Sequence, residues 1–161
     1  MLDVTRILPK LLVGSCPQVF DDIDRLKHEY AVTAVLNLQT EDDFAYWGIA
    51  WEQMEEYYQA HGIAVRRVPV RDFDADDLRR RLPSAAQAAH ELLEAGHTLL
   101  VHCSAGVNRS PSTVIAYLHW YQGMELSEAV QAVTSRRLCD PDVATIRLAG
   151  QDRALRENTS G

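Results

Sequence analysis

An α/β fold with a mostly parallel central sheet flanked by helices is what the sequence predicts, and three observations predict it. Short apolar, β-branched runs alternate with amphipathic helical patterns, the last third carries helical patterns only, and 47% apolar with 24% charged residues is enough to bury one core. With 161 residues the chain fits one domain, expected over 1–156, followed by a loose tail over 157–161.

The elements follow in order. Apolar runs from Leu11 to Val13, Thr33 to Leu38, Ala64 to Val70 and Thr98 to Val101 are bounded by turn or polar residues and read as buried strands. Between them, Gln18 to Tyr30, Trp51 to His61 and Leu78 to Ala95 have helical spacing; Gly96 caps the last, and Pro83 perturbs its start. Ser110 to Gln122, Leu126 to Ser135 and Asp142 to Arg156 form the helical final third.

A net charge of −7 argues against a broad basic face for nucleic acid, because counterion release needs many clustered cations. An anionic substrate then requires a local cationic site. Arginines dominate the basic residues, and most of them, Arg136 and Arg137 included, read as solvated surface cations. Cys16, Cys103 and Cys139 are an odd set without paired spacing, which points to a reducing compartment. The start, MLDVTRILPK, lacks an apolar signal region, and no apolar run approaches the ~20 residues of a membrane span. The expected location is cytoplasmic, or plastidic if a transit peptide has been removed. No membrane partner is expected, and the sequence sets no oligomeric state.

Chemistry concentrates in one segment, Leu99 to Pro111, where a buried strand runs through His102-Cys103-Ser104-Ala105-Gly106-Val107-Asn108-Arg109-Ser110 into a helix. Such a junction gathers backbone N–H groups and a positive helix end around one point, a natural seat for a phosphate dianion. Ser104, Ala105 and Gly106 are small enough to let the backbone curl, and Gly106 can adopt a positive φ. The same donors favour a thiolate at Cys103. Arg109 returns at the helix start, where its planar fork can hold two phosphoryl oxygens as charge grows in the transition state. Ser110 can donate a hydrogen bond to the sulfur, and His102 either orders the loop through backbone hydrogen bonds or is simply packed.

HCSAGVNRS resembles the signature of the protein tyrosine phosphatase superfamily in its small dual-specificity branch. The resemblance implies an enzyme that forms a phosphocysteine and uses neither metal nor cofactor. It also implies a mobile general acid in the loop after a buried strand, here Val70-Arg71-Asp72-Phe73-Asp74. Asp72 is the preferred candidate and Asp74 the alternative, with Asp76 and Asp77 read as solvated.

From about Leu8 to Ala149, the stretches LLVGSCPQ, DDIDRLK, AVLNLQTEDDFAYWGI, VRDFDADDLRRRLP, HCSAGVNRSPSTVIAYLHW and SRRLCDPDVATIRLA are similar to plant-type, laforin-like glucan phosphatases. That likeness implies phosphorylated starch- or glycogen-like glucan as the substrate partner. Tyr46 and Trp47, read as lying in one loop, and Phe73 can supply faces on which sugar C–H groups stack, or pack as core aromatics. Asn108 stands where these enzymes usually carry glycine. Asp140 stands where some carry an aromatic, and would bear on which glucose hydroxyl is accepted. A phosphoprotein substrate is the leading alternative. Phosphoinositides are disfavoured by the neutral Ser104, Ala105, Val107 and Asn108, and a dead binding module by the presence of both Cys103 and Arg109.

Overall fold

The computed structural model describes residues 1–160. Among these residues the chain forms five strands, β1 (Val4–Leu8), β2 (Leu11–Gly14), β3 (Ala34–Asn37), β4 (Ala64–Arg67) and β5 (Leu99–His102). The helices are α1 (Phe20–Tyr30), α2 (Glu41–Trp47), α3 (Trp51–Ala60), α4 (Ala75–Glu94), α5 (Arg109–Tyr121), α6 (Leu126–Thr134) and α7 (Val143–Ser160). The sheet order is β1-β2-β5-β3-β4, with β1 antiparallel to β2 and every other pairing parallel.

Alternating strand residues face opposite layers. Leu11, Val13, Leu36, Leu99 and Val101 pack with buried residues of α4 to α7, whereas Leu12, Val35 and Leu100 pack with those of α1 to α3. A side chain such as Leu99 or Leu100, fully hidden in this way, contributes about 1.5–3 kcal/mol relative to exposure. β5 is the central strand, paired with both β2 and β3, so the loop at its carboxyl end opens where chain connections diverge. In open α/β sheets that is where ligands bind.

Several boundaries differ from the expectation. β1 is an edge strand that was not foreseen: Val4, Thr5 and Ile7 alternate weakly, and its stability comes from pairing with β2 across the Pro9-Lys10 turn. α2 was read as a loop. Seven residues are too few for a periodic signal, but Thr40 accepts from the Asp43 N–H at 3.3 Å while Asp43 accepts from the Thr40 N–H at 2.8 Å, and Gly48 closes the far end at φ 66°. Tyr46 and Trp47 therefore stand on the last turn of a helix.

α4 starts earlier than expected because Asp74 caps it, accepting from the Asp77 N–H at 2.9 Å, and it continues through Pro83. The buried row Leu78, Leu82, Ala85, Ala86, Ala89 and Leu92 holds the helix despite the missing donor. α7 extends through 157–160, where a loose tail was expected, and no Gly or Pro stands in that last stretch; Gly161 lies outside the described residues. No helix among the described residues is long and apolar enough to cross a membrane.

Candidate active site

Cys103 is the first residue beyond β5, and the chain turns through Ser104 to Asn108 before entering α5 at Arg109. Gly106 makes the turn at φ 71°, and a Cβ there would lie 2.6 Å from the Gly14 carbonyl carbon and against the Arg137 guanidinium. Only glycine fits that point. Cys103 is 3% exposed, and its Sγ lies 3.2 Å from Ser110 Oγ, which also donates to the Gly14 carbonyl at 3.3 Å. Thiol and hydroxyl are thus held together by the strand–loop–helix junction.

Arg109 is 2% exposed. It donates from Nη1 to Asp43 Oδ2 at 2.8 Å and to the Val70 carbonyl at 2.7 Å, and from Nη2 to Asp43 Oδ1 and Ser104 Oγ, both at 3.3 Å. Nε has no hydrogen-bond partner and lies 3.4 Å from Asp72 Oδ1. One edge of the fork is fixed while the other keeps free donor capacity beside Cys103. Ser104 Oγ joins the network by accepting from Gln39 Nε2 at 3.1 Å and donating to Asp43 Oδ1 at 3.3 Å.

Asp43 was not foreseen as a site residue. Burial raises the pKa of its carboxyl, but the Arg109 hydrogen bond and those from Thr40 outweigh burial and hold it below the usual carboxylate range. The available signal was the Thr-x-x-Asp capping pattern, which predicts a helix start but says nothing of the arginine sixty-six positions later.

Of the acid candidates, Asp72 lines the cavity above Cys103, with its Oδ1 also accepting from the Phe73 N–H at 3.2 Å. Asp74 is engaged as the α4 cap and lies 3.8 Å from Arg71. Asp77 is buried rather than solvated: it accepts from the Arg71 N–H at 2.7 Å and pairs with Arg80 at 3.0 Å. Asp76 is exposed, as expected.

His102 is buried and donates from Nδ1 to the Cys103 carbonyl at 3.0 Å, which leaves Nε2 as an unpartnered acceptor. Burial pushes its pKa from 6.5 down to about 4. A histidine depressed in the folded state stabilises the fold above its unfolded pKa, and that stability is lost as pH falls towards the folded value. Urea unfolding is therefore expected to show stability rising from pH 4 to 6.5 by about 3 kcal/mol, the full linkage for such a shift. The His102→Asn variant should flatten the profile in that window. Carboxylates such as Asp43 and Asp77 act below it, since their values lie under 3.8.

A cavity of about 590 Å³ opens above Cys103 and Arg109, and Tyr46, Trp47 and Phe73 contribute to its walls. Tyr46 is 81% exposed and Phe73 99%, with Phe73 in the left-handed region at φ 55°, so neither packs as a core aromatic. Tyr46 meets Trp47 edge-on at 5.2 Å. Tyr117 is buried in α5. Ala105 and Val107 are exposed at the loop's rim, while Asn108 Nδ2 donates to the Asp140 carbonyl at 2.9 Å, tying the loop to the segment before α7. Asp140 lies in a neighbouring recess that shares Phe73, Val107, Asn108 and Arg109 with the main cavity's surroundings. Cys16 packs in the cluster under α1 to α3, its N–H donating to the Ser104 carbonyl at 2.9 Å, and burial pushes its thiol up to about 11.

A buried thiol and guanidinium at the end of a central parallel strand, joined by a loop curled around one point, are the architecture of a cysteine-dependent phosphatase. The chain belongs to the family described as "Dual specificity phosphatase, catalytic domain", which it matches over residues 13–143. It is 37% identical over 148 residues to "Phosphoglucan phosphatase DSP4, amyloplastic" of Castanea sativa, covering 91% of this chain and 39% of that protein. It is 35% identical over 143 residues to laforin of Mus musculus, covering 83% of this chain and 43% of that protein. The chain thus spans about two fifths of the length of these relatives. The crystal structure of PTPMT1 superposes with a TM-score of 0.74 over 99% of this chain and 100% of that one; at 18% identity the likeness is one of fold.

Proposed function

We propose that the chain removes phosphate from a starch- or glycogen-like phosphoglucan through a phosphocysteine on Cys103. The observation that carries the substrate is the pair of solvent-facing aromatics, Tyr46 and Phe73, at the walls of the Cys103 cavity. Sugar rings present apolar C–H faces that stack on aromatic side chains open to solvent beside a phosphate site. The two relatives named for phosphoglucan or as laforin, each aligned over more than four fifths of this chain, support the same reading.

In the proposed cycle the Cys103 thiolate attacks phosphorus while the bond to the glucose oxygen breaks, and Asp72 gives that oxygen its proton. Backbone N–H groups of the loop and Arg109 take up the developing charge. Water then attacks the phosphocysteine, Asp72 receives its proton, and the sulfur leaves as thiolate with a hydrogen bond from Ser110. A sugar alkoxide is a poor leaving group, so proton donation matters more here than with a phenol. A reducing compartment, cytoplasm or plastid, suits an unprotected nucleophilic thiol, and we place the enzyme there.

The test is release of inorganic phosphate from solubilised phosphorylated amylopectin, beside a phosphotyrosine peptide, for wild type and Asp72→Ala. Faster release from the glucan, slowed by about 10²–10⁴-fold in the variant, is expected for a general acid. Release confined to the peptide would replace this reading with a protein phosphatase.

A further inference from the structure

Arg137 follows α6 and has no part in the chemistry above. Expected on the surface, it is instead 6% exposed. Its Nε donates to the Gly106 carbonyl at 2.8 Å and its Nη2 to the Ala105 carbonyl at 3.3 Å. On the far side, Nη1 donates to Thr5 Oγ1 at 3.1 Å and Nη2 lies 3.3 Å from the Asp3 carboxylate. One guanidinium thus bridges two consecutive carbonyls of the phosphate loop and the edge strand β1.

A trans peptide holds the carbonyl of one residue antiparallel to the N–H of the next. Drawing the Ala105 and Gly106 carbonyls outward to one cation therefore turns the N–H groups of Gly106 and Val107 the other way, towards the point an anion would occupy. Packing reinforces the arrangement, since Gly106 leaves no room for a Cβ between Arg137 and Gly14.

We propose that Arg137 is a positioning residue for phosphoryl transfer: it clamps the loop from behind, keeping the Gly106 and Val107 N–H groups aimed at the phosphoryl oxygens. This rests on the phosphatase reading of the loop. Arginine is required because its fork spans two carbonyls and the β1 partners at once, which a lysine point charge does not. Thr5 and Asp3 hold the outer half of the fork, so β1, remote from the chemistry, contributes to loop geometry.

The experiment uses the full chain with Arg137→Lys, Arg137→Met, Thr5→Val and, as a control, Arg136→Met, whose parent side chain is exposed and donates only to the Ala132 carbonyl. Orthovanadate affinity, kcat and KM for para-nitrophenyl phosphate, and the amide resonances of Gly106 and Val107 are measured alongside thermal unfolding. Both Arg137 variants should weaken orthovanadate about tenfold or more, lower kcat more than they raise KM, and shift both resonances, as expected when oriented charge-assisted donors are lost. Lysine should not rescue, Thr5→Val should weaken orthovanadate about two- to threefold, and Arg136→Met should match wild type. Folded Arg137 variants that keep orthovanadate affinity within twofold and both resonances in place overturn the proposal. If Arg137→Met fails to fold, Arg137→Lys and Thr5→Val decide in the same way. Wild type that binds orthovanadate yet turns over no ester overturns the phosphatase reading, while the affinity contrast still judges the clamp.

Discussion

The Cys103→Ser variant is expected to lose about 10⁴-fold or more of kcat on every phosphate monoester while still binding inorganic phosphate about as tightly as wild type. The two halves of this result have separate causes. Turnover requires a sulfur that is anionic at neutral pH and leaves readily from phosphorus, and a serine hydroxyl is neither. Binding, by contrast, comes from the loop N–H groups, the start of α5 and the Arg109 fork, none of which involves the sulfur. Serine is close in shape to cysteine, and its hydroxyl can keep the contact to Ser110 that Sγ makes at 3.2 Å. Replacing a thiolate by a neutral hydroxyl also removes repulsion between sulfur and a dianion, so affinity can rise. Turnover surviving within tenfold would remove Cys103 as the nucleophile. Loss of phosphate binding together with turnover would show that the loop itself had collapsed.

A mostly parallel sheet and the strand–loop–helix junction that carries Cys103, Arg109 and Ser110 were legible because each can be read from contiguous sequence, whereas Asp72 was reached through the family resemblance. A continuous apolar run, a glycine that alone tolerates φ 71° and a helix start place the loop without reference to the rest of the chain. Other parts were not legible for a physical reason. Asp43 and Arg137 act through contacts that cross the fold, sixty-six positions to Arg109 and thirty-one to Gly106, and nothing local distinguishes either from a surface charge. Each becomes informative only when burial removes water and leaves a named partner. α2 shows the intermediate case: its capping pattern is local and readable, yet a seven-residue helix has no period to confirm it. Missing α2 placed Tyr46 and Trp47 in a loop, when a capped helix presents both to the cavity.

Arg109→Lys carries the second large effect, an expected fall in kcat of about 10³-fold, in line with the loss of one to two oriented donors at a developing charge. Charge alone does not meet the geometry. The guanidinium makes four hydrogen bonds, to Asp43 twice, the Val70 carbonyl and Ser104, and still presents Nε without a partner next to the cavity. An ammonium with three donors cannot hold Asp43, the Val70 carbonyl and Ser104 on one side and still offer a donor to the cavity as Nε does. It also leaves part of the Asp43 carboxylate unsatisfied in a half-buried position, which favours a side chain turned towards Asp43 and away from the substrate. The companion variant, Asp43→Asn, separates positioning from charge. It retains Arg109 and an acceptor oxygen but loses the bidentate carboxylate, so the fork can rotate, and kcat should fall by about 10- to 100-fold. Full kcat in Asp43→Asn would mean that the Val70 carbonyl and Ser104 suffice to hold the guanidinium. Full kcat in Arg109→Lys would mean that the loop N–H groups, not the arginine, carry the transition-state charge.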